Sequence, residues 1–170
     1  MTHPISLLGA VHTGISLLPV VAGLYGFARY RAIKPSSPSG KIYLAGLALS
    51  VVTSFGLSSS GGFNPGHALG ILALIAASGT LFVSKLSATG RLRRYLPTLG
   101  LSFSFFLLLV PAINETLTRL PAAHPLADGP KSPLVLGTLL VWVVTFIVGA
   151  TVQAWSIHSR RRSAAITHGA

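Results

Sequence analysis

The sequence predicts an all-α, polytopic membrane helix bundle of five transmembrane helices, N-terminus outside and C-terminus cytoplasmic. Three observations predict it. Five long apolar stretches are separated by short polar connectors. Only 9% of the 170 residues are charged, where a soluble domain carries roughly a quarter. The cations also sit on alternate connectors. Arg29, Arg31, Lys34 and Lys41 lie between the first and second stretches, and Lys85, Arg91, Arg93 and Arg94 between the third and fourth. Arg160, Arg161 and Arg162 follow the fifth, while Glu115, Arg119, Asp128 and Lys131 on the other connectors cancel. The formal net charge of +11 therefore belongs to one side of the bilayer, the positive-inside pattern of a cytoplasmic (inner) membrane protein.

Span one runs from about Ile5 to Ala28, and Pro19 is expected to kink it. Its start lacks a positively charged leader segment, so it reads as a retained span. Span two covers about Ile42 to Ser60 and span three about Pro65 to Ser84, the latter opened by Asn64-Pro65 as N-cap and first helical residue. Span four covers about Leu96 to Asn114, with Pro97 in its first turn, and span five about Leu134 to Ile157. Each is near the roughly 20 residues that cross a ~30 Å hydrocarbon core. Helices follow because lipid offers backbone groups no partners. Residues 1–157 thus form the bundle and 158–170 a basic cytoplasmic tail. Tyr30, Tyr43, Tyr95 and Trp155 fall at the cytoplasmic boundary as an interfacial belt. The connector from Pro121 to Pro133 reads as irregular.

Helix faces sort into aliphatic and small-polar sides. In span one Leu7, Val11, Ile15, Leu18 and Val21 oppose Gly9, His12, Thr13, Ser16, Gly23 and Gly26. Span two repeats Gly46, Ser50, Ser54 and Ser58, span three opens with Gly66 and Gly70, and span five carries Thr138, Trp142, Thr145, Gly149 and Gln153. Small residues and hydroxyls mark the faces on which membrane helices approach one another.

His12 and His67 are the candidate chemistry, because an ionisable group within a span is costly and functional by default. Both stand about 26 Å above the basic edge marked by Arg29 and Lys85. Trp142, Ser58 and Ser59 fall in the same layer, with Asn114 and Glu115 just above. Two imidazoles at one height could ligate a haem b axially, walled by Trp142, with electron transfer as the role. Equally, His12, His67, Glu115 and His124 could hold a divalent transition metal. The bland reading keeps the histidines as hydrogen-bonding partners of water and carbonyls. Glu115 and Arg119 pair at i, i+4 if span four continues to Leu120, and Asp128 reads as a turn residue. His158 and His168 lie in the basic tail. No cysteine is present, which excludes disulfides, thiolate ligands and c-type haem attachment. No nucleophile elbow or phosphate loop appears, and Gly61-Gly62 reads as a turn. Nucleic acid is not an expected partner, since the cations flank apolar spans and no binding motif accompanies them. Membrane lipids are expected partners, together with a membrane-protein partner or further copies of the chain. The rival functions are an accessory or assembly subunit without catalysis, and an oligomeric small-solute channel or carrier.

His3-Pro4 and His12, followed by a basic loop ending in Gly40-Lys41-Ile42-Tyr43, resemble bacterial multi-span membrane proteins of unknown function. In those proteins an early histidine-bearing span precedes Gly-[Lys/Arg]-x-Tyr. The resemblance covers roughly the first 70 residues and implies a bacterial membrane protein. The histidine such proteins carry in the basic loop is replaced here by Lys34-Pro35-Ser36-Ser37. A broader similarity to small multi-span b-type cytochromes rests on histidines in a helix bundle.

Overall fold

Small residues, capping side chains and a few glycine contacts set how the apolar stretches pack. In the computed structural model, which describes residues 7–57, 62–85, 94–121 and 123–167, the chain forms five helices. They are α1 (Leu7–Tyr30), α2 (Pro38–Ser54, continued by a 3-10 turn over Phe55–Leu57), α3 (Pro65–Lys85), α4 (Leu96–Arg119) and α5 (Pro133–Thr167). All five are long and apolar enough to cross a membrane, the make-up of a multi-pass integral membrane protein. Among the described residues there is no strand. His3, Pro4, Ser58, Ser59, Gly61, Arg91, Arg93 and His168 lie outside the described residues.

Each helix packs on the next, and α1 also returns to α4. The faces are inside-out relative to a soluble bundle. Helix α1 buries Pro19, Ala22, Gly23 and Gly26 while Leu7, Val11, Leu18 and Val21 are exposed. Lipid tails are as apolar as leucine, so close backbone approach rather than aliphatic burial drives association. Gly46 of α2 lies on Pro19: a Cβ there would stand 2.8 Å from the proline Cδ. A Cβ on Gly23 would stand 2.5 Å from the Phe105 ring. A Cβ on Gly100 of α4 would stand 1.9 Å from Thr80 Oγ1 of α3. Gly100→Ala is therefore expected to lower the melting temperature in detergent, and adding Thr80→Ala to restore most of it. Equal losses from Gly100→Ala in both backgrounds would show that this contact does not set the spacing.

The α1–α2 connector is a built turn. Arg31 adopts φ 58°, and its N–H reaches the Phe27 carbonyl at 2.9 Å, the left-handed ending of a helix. Ile33 is then buried. Ser37 caps α2, accepting from the Gly40 N–H at 3.1 Å, and Pro38 begins the helix. Helix α2 thus starts four residues before the expected Ile42, because the cap lies in the polar loop. The Lys34 carbonyl accepts from the Ser37 N–H (3.0 Å) and hydroxyl (2.7 Å) and lies directly against Gly40.

Three expectations change. Tyr43 is not an interfacial tyrosine: it is 0% exposed, its hydroxyl bonds Ser104 Oγ at 2.7 Å and its ring packs near Phe105. Helix α4 continues to Arg119, so Glu115 and Arg119 form an ion pair. Helix α5 continues to Thr167, making the basic tail from residue 158 helical over most of its length. Val135, Trp142, Phe146 and Gln153 turn inward on α5, while Thr145 and Gly149 face out. Gln153 ties the ends together. Its Nε2 donates to the Arg31 carbonyl (2.9 Å), and its Oε1 accepts from the Ser102 hydroxyl (2.8 Å). The C-terminus of α1, the first half of α4 and the second half of α5 therefore share one end of the bundle, as alternation requires.

Candidate functional site

His12 lies on the inward side of α1, one turn before Ser16, and meets α2. The Thr53 hydroxyl donates to the Leu49 carbonyl (2.8 Å), so its oxygen is free to accept from His12 Nδ1–H at 2.8 Å. His12 Nε2 then accepts from Ser16 Oγ at 3.2 Å, and Ser16 from the Ser50 hydroxyl at 2.8 Å. One donor and one acceptor nitrogen complete the capacity of a neutral imidazole. The ring fastens α1 to α2 through three hydroxyls.

His67 is fixed by the start of its own helix. Asn64 is the N-cap: its Oδ1 accepts from the His67 N–H at 3.0 Å. His67 Nδ1 reaches back to accept from the Asn64 N–H at 3.3 Å. This is the reciprocal arrangement of a capping box, with histidine in the place of Glu or Gln. Nδ1 being an acceptor, the ring proton is on Nε2, which donates to the Ser54 carbonyl at the end of α2 (3.0 Å). Phe55 stacks on the ring at 4.6 Å and 11°, and His67 is 3% exposed. Both ring nitrogens thus satisfy backbone groups that helix ends leave unpaired.

The two histidines do share a level, since they contact successive residues of α2, Thr53 and Ser54. They reach it from different neighbours, His12 from α1 and His67 from α3, with α2 taking both. Trp142 does not join them. Its Nε1–H donates to the Phe106 carbonyl (3.1 Å), and its ring meets Phe105 and Phe106. Phe105 in turn touches Phe27 and Tyr43 near the basic end, so Trp142 belongs to an aromatic cluster in that half. The height reckoned from Arg160 misleads because Gln153, not Arg160, marks the bundle's edge on α5, about 10 Å earlier along the helix. Glu115 is exposed and held by Arg119. His124 is exposed on the α4–α5 connector, its N–H bonded to the Pro121 carbonyl.

The expected metal set of His12, His67, Glu115 and His124 therefore does not assemble. Among the described residues no group of three His, Cys, Asp or Glu side chains is placed to hold a metal ion. The haem pairing of His12 and His67 gains no support either, because every ring nitrogen of the two is already hydrogen-bonded and a ligating one would have to abandon its partner. Asn114 Oδ1 is buried with no hydrogen-bond partner. A groove of about 400 Å³, lined by Pro133, Leu134, Gly137, Thr138 and Val141, lies on α5. It is open and apolar, and brings no titratable group together.

Two structural roles were legible in retrospect. Asn64-x-x-His67 has N-cap to N3 spacing, and Tyr43 continues the Gly46, Ser50 and Ser54 face by one turn. No protein-family model, curated protein or solved structure matches the chain.

Proposed function

We propose that this chain is a non-catalytic accessory subunit of a bacterial inner-membrane complex, a five-helix scaffold with its basic end in the cytoplasm. The observation that carries this reading is how His12 and His67 are bonded. Both rings are fully hydrogen-bonded: His12 ties α1 to α2 through Nδ1 and Thr53, and His67 ties α3 to α2 through Nε2 and the Ser54 carbonyl, while His12 Nε2 and His67 Nδ1 bond Ser16 and the Asn64 N–H of their own helices. Buried polar groups in lipid must find partners within the protein, and these ring nitrogens do so. The polar residues of the spans build the bundle. Helix α5 supports the same reading, since it packs on α4 and exposes Leu136, Leu140, Val144, Ile147 and Val148.

The rival is a haem b or divalent metal held by His12 and His67. Ligation by His67 would orphan either the Asn64 N–H or the Ser54 carbonyl. The deciding experiment is purification in mild detergent from cofactor-replete cells, with oxidised and dithionite-reduced spectra and elemental analysis. The expected preparation is colourless, metal-free and accompanied by a membrane protein at fixed stoichiometry. A Soret band or stoichiometric metal that disappears in His12→Ala or His67→Ala would overturn the proposal in favour of the rival.

A further inference from the structure

We infer that the α1–α2 connector is a binding site for the phosphate of an anionic phospholipid headgroup, formed by Arg29 and Lys34 around Tyr30. The Arg29 guanidinium carbon lies 5.5 Å, and Lys34 Nζ 4.9 Å, from the centre of the same Tyr30 ring. Tyr25 meets that ring edge-on at 6.4 Å. Two cations thus converge on one aromatic platform, with exposed Arg31 beside them.

Among the described residues no acidic side chain serves them. The sequence has two acidic side chains. Glu115 is paired with Arg119 at the far end of α4, and Asp128 lies on the α4–α5 connector. At 5.5 and 4.9 Å from one ring centre the two charges stand at most about 10 Å apart, within a Debye length of about 10 Å, so an anion drawn to this loop feels both. An ordinary solvated basic loop would be loose, whereas this one is fixed at four points. The Arg31 N–H is bonded to Phe27 and the Arg31 carbonyl to Gln153. Ile33 is buried, and the Lys34 carbonyl is held by Ser37 against Gly40. The backbone carrying both cations is therefore pre-organised, which lowers the ordering cost of binding. The platform also lies at the level a headgroup occupies. Tyr30 ends an apolar span, and Trp155, 70% exposed, lies two residues beyond the Gln153 that bonds to this connector. Tyrosine and tryptophan favour that interfacial depth.

The test is native mass spectrometry of the full chain in neutral detergent, titrated with phosphatidylglycerol or phosphatidylcholine. Phosphatidylglycerol is expected to bind about tenfold tighter. Arg29→Gln and Lys34→Gln should each weaken it about threefold, and the pair about tenfold. Lys131→Gln, a cation on the opposite connector, should leave it unchanged. Should the double variant be unstable, the single variants carry the comparison. Equal binding of the two lipids, or undiminished phosphatidylglycerol binding by both single variants, overturns the inference. Displacement of the lipid by an equal concentration of inorganic phosphate would assign the site to a free anion and overturn it as well.

Discussion

Gly40→Ala should destabilise the protein more than any other single methyl addition outside the described contacts of the bundle interior. The added Cβ would stand 1.8 Å from the Lys34 carbonyl oxygen, 2.6 Å from its carbon and 3.0 Å from the Pro35 Cα. These are backbone atoms, so no rotamer change relieves the overlap. The Lys34 carbonyl cannot swing away without losing both bonds from Ser37, the residue that caps α2. Nor can α2 retreat freely, because three residues further on Tyr43 is anchored to Ser104. A loss of more than about 3 kcal/mol is expected, at the upper end of what overpacking costs. It should be read as reduced monodisperse yield and a lower melting temperature in detergent. Gly14→Ala and Gly149→Ala, where a Cβ would meet nothing within 4 Å, should melt like the parent chain. A Gly40→Ala protein that also did so would mean that the loop does not press on α2 as described.

The sequence motif and this geometry meet in Gly40-Lys41-Ile42-Tyr43. Glycine is needed where the loop crosses the helix, and tyrosine one turn on reaches the neighbouring helix α4. Spacing shows that these residues share a face, yet it does not reveal that the face turns inward. Tyrosine is equally at home at an interface, which is why Tyr43 reads as a belt residue until Ser104 is seen opposite. The five spans were legible for a simpler reason: length, hydropathy and alternating charge are properties of each segment alone. The candidate site was not, because it depends on which helices neighbour one another. His12 and His67 stand at one height in the sequence and at one height on α2, but height does not say that both rings are already bonded. Trp142 shows the same limit from another side. A helix that continues past the membrane edge, as α5 does, moves the mark from which depth is counted. Gln153 supplies the true mark, and only its contact with Arg31 reveals it.

Replacing His67 by alanine should lower the melting temperature by roughly 5–10 °C, corresponding to about 2–4 kcal/mol. Three losses combine. The Asn64 N–H loses its acceptor, the Ser54 carbonyl loses its donor, and Phe55 loses the ring stacked on it. Capping interactions are each worth about 1 kcal/mol, and a polar group left unpaired away from water costs about 1–3 kcal/mol. His67→Gln should recover part of the loss, since glutamine at this helix position can accept from the N-cap N–H but cannot stack on Phe55. Asn64→Ala should cost about 1 kcal/mol alone and less in the His67→Ala background, because the two residues cap one another and their effects overlap. Strict additivity would separate them and undo the capping-box assignment. The experiment also bears on function. A histidine kept for a ligand would be replaced at little cost to the empty protein. One kept to join α2 to α3 makes stability itself the readout, and the latter is the outcome expected for a residue 3% exposed with both nitrogens engaged.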